Sequence, residues 1–324
     1  MELSETEPTE PAAQTALGKR LIAGDGIPED PQRGAALIAG AAQQGHPEAA
    51  ALAAVLIGMS ARSLADWTKA LEYLQQAAEG GWIAAQQQLT VLGQATLAEE
   101  ALGPNPAADI WGRLRRSVDI IRWFHLPPLQ RVLDEPRIEL RDGFLPPGVC
   151  KWLIERARGG LEPSRVFANS GEVTVVQSRT NRAFEFDLLA ADVVLLLARA
   201  RIAKAAGFQP QSLEQTNVLH YATGQEFRRH YDFLDPVLPG HVPELQKFGQ
   251  RVATFLVYLN EEFSGAETEF GMLDKQFRCP TGGALYFHNV DSSLTPNRRT
   301  LHAGLPPSAG EKWLLSQWIR GRPL

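Results

Sequence analysis

The chain has 324 residues, 44% of them hydrophobic and 21% charged, and its 32 Lys+Arg against 37 Asp+Glu leave a formal net charge of −5. That is an ordinary globular composition, long enough for two domains with full cores. It argues against a generally basic binder of nucleic-acid phosphates, and with Cys150 and Cys279 as the only cysteines it excludes a disulfide scaffold and a thiolate zinc site.

The first residues, Met1 to Glu7, are acidic where a secretory signal would be basic and then apolar. No apolar run reaches the roughly 18–20 residues a bilayer span needs. The most apolar stretch, Val193 to Ala203, is broken by Arg199 and Arg201. The expectation is a soluble, cytoplasmic protein with no membrane partner. Residues 1–12, with Pro8 and Pro11, read as a mobile leader. From 13 to 93 alanine dominates, and an offset of 36 aligns Ala41 with Ala77, Ala42 with Ala78, Gly45 with Gly81 and Ala49 with Ala85. Two copies of one helix ending, each closed by a glycine, predict paired helices in a short helical array. An ordinary Ala-rich bundle is the alternative.

Gly103-Pro104-Asn105-Pro106 interrupts the helices within a helical linker over 94–136, and Asp109 to Trp123 reads as one helix inside it. After about Arg137 the texture changes. Helices are predicted over Gly148–Arg158 and Leu188–Ala206, then short strands over Thr216–Tyr221, Ala253–Leu259, Ala284–Phe287 and Trp313–Trp318, separated by glycine turns. Many short strands with turns between them predict a sandwich or jelly roll, giving an α+β chain of helical array followed by β core.

The sharpest chemical feature is His230-Tyr231-Asp232, because residues i and i+2 of an extended segment share a side and can grip one ion. His302 lies 72 residues downstream, far enough to return alongside as a third ligand. Two imidazoles and a carboxylate on one face of an octahedral ion leave three positions open, the arrangement of non-haem Fe(II) oxygenases. Lys312 adds a cation that could pair with the far carboxylate of a 2-oxo acid.

Two resemblances follow. Gly24-Asp25-Gly26-Ile27-Pro28-Glu29-Asp30, followed by a helix ending Ala-Ala-x-x-Gly, resembles the Sel-one-like repeats, relatives of the tetratricopeptide family. Such arrays offer concave protein-binding surfaces. From Arg137 to the C-terminus the chain resembles the prolyl 4-hydroxylase branch of the Fe(II)/2-oxoglutarate dioxygenases. The resemblance rests on Tyr221-Ala222-Thr223-Gly224-Gln225 with His230-Tyr231-Asp232, on Tyr258-Leu259-Asn260, on Gly265 to Phe270, and on His302-Ala303-Gly304 with Lys312-Trp313 and Trp318-Ile319-Arg320. It implies a double-stranded β-helix (cupin-like jelly roll) over 137–324, with flanking helices. The implied cofactors are Fe(II), 2-oxoglutarate and O₂, with ascorbate as reductant. His230, Asp232 and His302 would hold the iron, and Lys312 the distal carboxylate of 2-oxoglutarate. Tyr221 and Thr268 would be its hydrogen-bonding companions, and Trp318 would wall its pocket. Arg179, Glu214 and Arg251 match positions lining the family's peptide groove; the sequence departs at Asn181, where the family commonly has serine. The implied activity is prolyl hydroxylation of a peptide or protein, recruited by the repeats, with decarboxylation of 2-oxoglutarate to succinate.

Other readings of the same residues stand beside these. Tyr221 and Trp318 also suit core aromatics, Thr268 a turn, and the arginines solvated surface charges. A free amino acid or small metabolite could be the substrate, or the whole chain a non-catalytic scaffold. A zinc hydrolase with the same ligands lacks an evident general base and leaves Lys312 without a purpose.

Overall fold

The structure, a computed structural model, describes residues 8–164 and 178–324, with the backbone alone of 166–167 and 173–174. It divides into a helical unit, running to His125 and including Leu188–Leu197, and a sheet unit of Leu126–Asp187 and Ala198–Leu324. Among the described residues no helix is long and apolar enough to cross a membrane.

In the helical unit each of the first helices packs on the next: α1 (Pro11–Ala23), α2 (Pro31–Gln43), α3 (Pro47–Ser60), α4 (Leu64–Glu79) and α5 (Ile83–Leu92). Their starts are written in the sequence. Pro11, Pro31 and Pro47 take first-turn positions where a missing N–H costs nothing, after side-chain caps from Glu10, Asp30 and His46, while Ser63 and Asp66 form a reciprocal capping box. α1 and α2 touch backbone to backbone at Gly18 and Gly34, where an added Cβ would lie 2.8 and 2.7 Å from the other's carbonyl oxygen.

The 36-residue offset has a structural counterpart. At the end of α2 the N–H groups of Gly45 and His46 donate to the carbonyls of Ala42 and Ala41; at the end of α4 those of Gly81 and Trp82 donate to Ala78 and Ala77. Both are Schellman closures with a left-handed glycine, φ 87° at Gly45 and 86° at Gly81.

The expected division differs in three places. Of the leader expected over 1–12, residues 1–7 lie outside the described residues, and α1 already begins at Pro11. The segment 94–136 is not a separate linker: α6 (Ala95–Leu102), α7 (Ile110–Ser117) and α8 (Ile120–Trp123) belong to the helical unit, α7 packing on α4, α5 and α6. The single helix expected over Asp109–Trp123 is split because the Asp119 carboxylate accepts from the Arg122 N–H and caps a new start. Finally, Leu188–Leu197, expected within the domain 137–324, belongs with the helices. There the Val193 N–H donates to the buried Gln88 side chain and the Trp123 indole to the Leu197 carbonyl.

The sheet unit contains, in order, β1 (Gln130–Leu133), β2 (Ile138–Arg141), α9 (Pro147–Arg158), β3 (Glu162–Pro163), β4 (Val166–Phe167), β5 (Val173–Thr174), β6 (Arg182–Phe186) and the rest of α10 (Val193–Ala206). β7 (Thr216–Tyr221), β8 (Phe227–His230), α11 (Val242–Phe248), β9 (Arg251–Tyr258), β10 (Phe263–Gly265), β11 (Thr268–Phe270) and β12 (Lys275–Phe277) follow. β13 (Ala284–His288), β14 (His302–Gly304), β15 (Pro307–Gly310) and β16 (Lys312–Arg320) close it. The large sheet has the order β1-β2-β13-β9-β16-β7-β6-β3, and a smaller one the order β12-β11-β14-β8. Every ladder in them is antiparallel. β9 is buried along its whole length, as a central strand covered on both faces must be. Tyr258, Leu285, Phe287 and Leu314 of the large sheet share one core with Phe270 and Phe277 of the small one. The chemistry-bearing residues are set into that core.

Candidate metal centre

Two strands of the small sheet bring the first ligands together. β8 and β14 pair with His230 directly opposite His302, and Asp232 follows two residues after β8. One donor atom from each of the three lies within 4.8 Å of the others. The two carboxylate oxygens of Asp232 sit 3.5 Å from His230 Nε2 and 3.5 Å from His302 Nε2. Each ring's other nitrogen faces a backbone carbonyl: His230 Nδ1 that of Arg228 at 2.8 Å, His302 Nδ1 that of Thr300 at 2.9 Å. A carbonyl only accepts, so Nδ1 carries a proton in both rings, and Nε2 is the nitrogen turned toward the carboxylate. Phe227 stacks on His230 at 3.4 Å, and Phe270 and Phe287 surround His302.

The electrostatics suit a cation. Burial, helped by His230, pushes the His302 imidazolium down to about 4, so this ring is neutral and ready to coordinate near neutral pH. Burial alone would raise the Asp232 carboxyl, but the two histidines and a hydrogen bond from Thr254 outweigh it and hold it well below the usual carboxylate range. The Thr254 hydroxyl donates to Asp232 Oδ2 at 2.7 Å and accepts from Asn289 Nδ2 at 3.0 Å. Thr254 and Asn289 are fully buried. Sequence reasoning missed both, because a threonine inside an apolar strand and an asparagine just past one carry no signal of their own.

Lys312 opens β16 opposite Tyr221 and is 0% exposed. Its ammonium donates to the Ala266 carbonyl at 2.8 Å, and among the described residues no carboxylate lies within ion-pairing distance. Burial pushes it down to about 7, against weaker opposing pulls from Cys279 and Glu267. The rings of Tyr221 and Tyr258 flank it at 5.4 and 4.8 Å. Thr268 is buried nearby in the small sheet, its hydroxyl 2.7 Å from that of Tyr258, which itself donates to the Phe277 carbonyl. Gly304 leaves room for the Tyr221 hydroxyl, which an added Cβ would approach to 3.1 Å.

A cavity of about 760 Å³ reaches His230 and Asp232 but not His302 or Lys312, and Arg179, Glu214, Arg251 and Trp318 also line it. Trp318 is thus on the cavity wall, six residues along β16 from Lys312, or roughly 20 Å at the rise of a strand. Its indole faces the Arg251 guanidinium at 3.7 Å, and its buried Nε1 has no hydrogen-bond partner among the described residues. Glu214 and Arg251 are tied to each other by two bonds of 2.7 and 2.8 Å, and Arg320 holds the same carboxylate at 2.5 Å. Arg179 lies over the Phe227 ring at 4.4 Å. Asn181, the departure from the family's serine, accepts from Arg179 and donates to Ser164. Four of the other histidines have structural partners: His220 with Glu311, His288 with Tyr286, His46 and His241 with backbone N–H groups.

Residues 216–320, from β7 through β16, match the 2OG-Fe(II) oxygenase superfamily. Probable prolyl 4-hydroxylase 7 of Arabidopsis thaliana is 30% identical over 203 residues, 57% of this chain and 62% of that protein. Probable prolyl 4-hydroxylase 6 of the same plant is 30% identical over 207 residues, 58% of this chain and 70% of that protein. The chain therefore spans less than two thirds of the first relative and somewhat more of the second. Among solved structures, the viral collagen prolyl hydroxylase of Paramecium Bursaria Chlorella virus-1, in its 2OG complex, aligns with 59% of this chain and 99% of its own, at 29% identity and a TM-score of 0.45.

Proposed function

The chain belongs to the prolyl 4-hydroxylase-like 2OG-Fe(II) oxygenases, and from that membership we propose that it hydroxylates prolyl residues of a peptide or protein, with Fe(II), 2-oxoglutarate and O₂. The observation that carries the proposal is a pair of features in the sheet unit: a triad of two histidines and a carboxylate whose donor atoms converge, and a fully buried lysine with no carboxylate at ion-pairing distance among the described residues. A buried ammonium left in this state is expensive, and the distal carboxylate of a 2-oxo diacid supplies what it lacks. The donor set fits a divalent metal, since both Nε2 atoms and Asp232 converge while both Nδ1 protons are engaged elsewhere.

His230, Asp232 and His302 would hold the metal, which when bound supplies the oxidative chemistry that couples decarboxylation of 2-oxoglutarate to C–H hydroxylation. The protein's part is to orient and to exclude water. Lys312 fixes the far end of the cosubstrate, with Tyr221 and Thr268 as its polar neighbours. Thr254 and Asn289 set the plane of the Asp232 carboxylate. Trp318 walls the metal side of the cavity and, with Arg179, Glu214 and Arg251, shapes the groove for the substrate chain. The two sheets form the double-stranded β-helix of the family, and ascorbate serves as reductant.

The helical unit is proposed as a short Sel-one-like array that recruits the protein substrate, the two matched Schellman closures being the support. The cytoplasm is the proposed location. The test is incubation of Fe(II)-loaded protein with 2-oxoglutarate and either proline-containing peptides or free amino acids, reading succinate and a mass gain of one oxygen. Turnover of peptides, abolished in Asp232→Ala, is expected. Turnover confined to free amino acids would sink the peptide assignment, and none with any substrate would sink the enzyme.

A further inference from the structure

Lys312 sits at the first residue of its strand, where strands fray most readily. One edge of its backbone is secured by β7, through the pairings of Lys312 with Tyr221 and Trp313 with His220. The other edge faces β9, whose ladder with β16 ends at Tyr258 opposite Leu314. One more bond follows, from the Leu259 N–H to the Trp313 carbonyl. Beyond it the side chain of Asn260 takes over. Its Nδ2 donates to the Glu311 carbonyl at 2.8 Å, and its Oδ1 accepts from the Trp313 N–H at 2.8 Å. These are the backbone groups on either side of Lys312. A carboxamide offers one donor face and one acceptor, as the next residue of an antiparallel neighbour would. Asn260 therefore prolongs the ladder by one residue after the strand has turned away.

The prolongation matters because of what Lys312 carries. A long cationic side chain at a loose strand end turns its ammonium toward water. Here the ammonium is 0% exposed, with the Ala266 carbonyl as its partner. We infer that Asn260 is a positioning residue for the cosubstrate: by clamping both peptide groups around Lys312 it keeps the ammonium aimed inward, at the far carboxylate of 2-oxoglutarate. The inference rests on the assignment of Lys312 to that carboxylate.

The test measures binding, without turnover, on the full chain loaded with Mn(II) in the absence of O₂. Two ligands are compared by calorimetry: 2-oxoglutarate, and 2-oxopentanoate, which keeps the metal-binding end and lacks the far carboxylate. Asn260→Leu is expected to weaken 2-oxoglutarate roughly tenfold or more, the scale of a lost, well-oriented hydrogen-bond pair, and to leave 2-oxopentanoate within about twofold. Asn260→Asp keeps volume and acceptor but loses the donor, so it should fall between; it carries the same comparison if the leucine variant does not fold. Lys312→Met separates the two levels of the reading. If it leaves 2-oxoglutarate affinity intact, the role given to Lys312 is wrong and the inference falls with it. If it removes the preference for 2-oxoglutarate while the Asn260 variants weaken both acids equally, or neither, the role of Asn260 alone is overturned.

Discussion

Thr254→Val keeps the shape of a buried strand residue and deletes one hydroxyl. In the native protein that hydroxyl donates to Asp232 Oδ2 at 2.7 Å and accepts from Asn289 Nδ2 at 3.0 Å. A hydrogen bond to a charged group is worth about 1.5–3 kcal/mol. At about 1.4 kcal/mol per factor of ten, its loss corresponds to roughly 10–100-fold in metal affinity if the bond serves to aim the carboxylate. The same range is typical when a partner orienting a metal ligand is removed. A second cost falls on the folded state: Asn289 Nδ2 loses its acceptor in a site that is 0% exposed, for about 1–3 kcal/mol. The assay is anaerobic titration of Fe(II) or Mn(II) into metal-free protein, with thermal unfolding followed in parallel. T254V should bind metal 10–100-fold more weakly and melt lower even without metal, while T254S should restore both. Metal affinity within about twofold of wild type would refute the idea that this pair orients Asp232.

Two further outcomes follow from the site. Because burial holds the Lys312 ammonium down near 7, the ligand-free side chain loses its proton above that pH and must regain it to pair with a dicarboxylate; 2-oxoglutarate affinity should fall as pH rises above about 7, with net proton uptake on binding, and Lys312→Met should flatten both, as calorimetry in buffers of different ionisation enthalpy would show. Glu214→Gln removes the carboxylate shared by Arg251 and Arg320, the latter 3% exposed, and should cost about 3–5 kcal/mol in urea unfolding.

The convergence of His230, Asp232 and His302 was legible from the i, i+2 spacing of the first two together with the motif blocks around them, since the triplet alone is a weak signal. β7 was expected over its observed bounds, and β13 to within one residue, because apolar alternation between glycine turns is a local signal. What escaped reading is non-local. Thr254 lies in Val252-Ala253-Thr254-Phe255-Leu256, where a β-branched residue looks like strand filler; only the return of Asp232 across the core gives its hydroxyl a task. Asn260 was visible as part of a motif, yet its function depends on where β16 starts, some fifty residues later. Leu188–Leu197 reads as the start of an apolar helix whichever unit it joins, and the choice is made by partners such as Gln88 that no periodicity reveals. Glu214 and Arg251 were read as substrate contacts; their mutual pairing, with Arg320 as a third member, is set by the loop before β7, the start of β9 and the end of β16, all distant in sequence.

His230 and His302 occupy directly opposed positions on neighbouring strands. Side chains alternate between faces along a strand, so slipping β14 by one residue would swing His302 to the other side and put Leu301 or Ala303 opposite His230. Only one register presents two imidazoles to the same ion. On the proposed site, a chain with β8 and β14 mispaired could not assemble the three ligands, so metal binding would act as a proofreading signal for the sheet's native alignment.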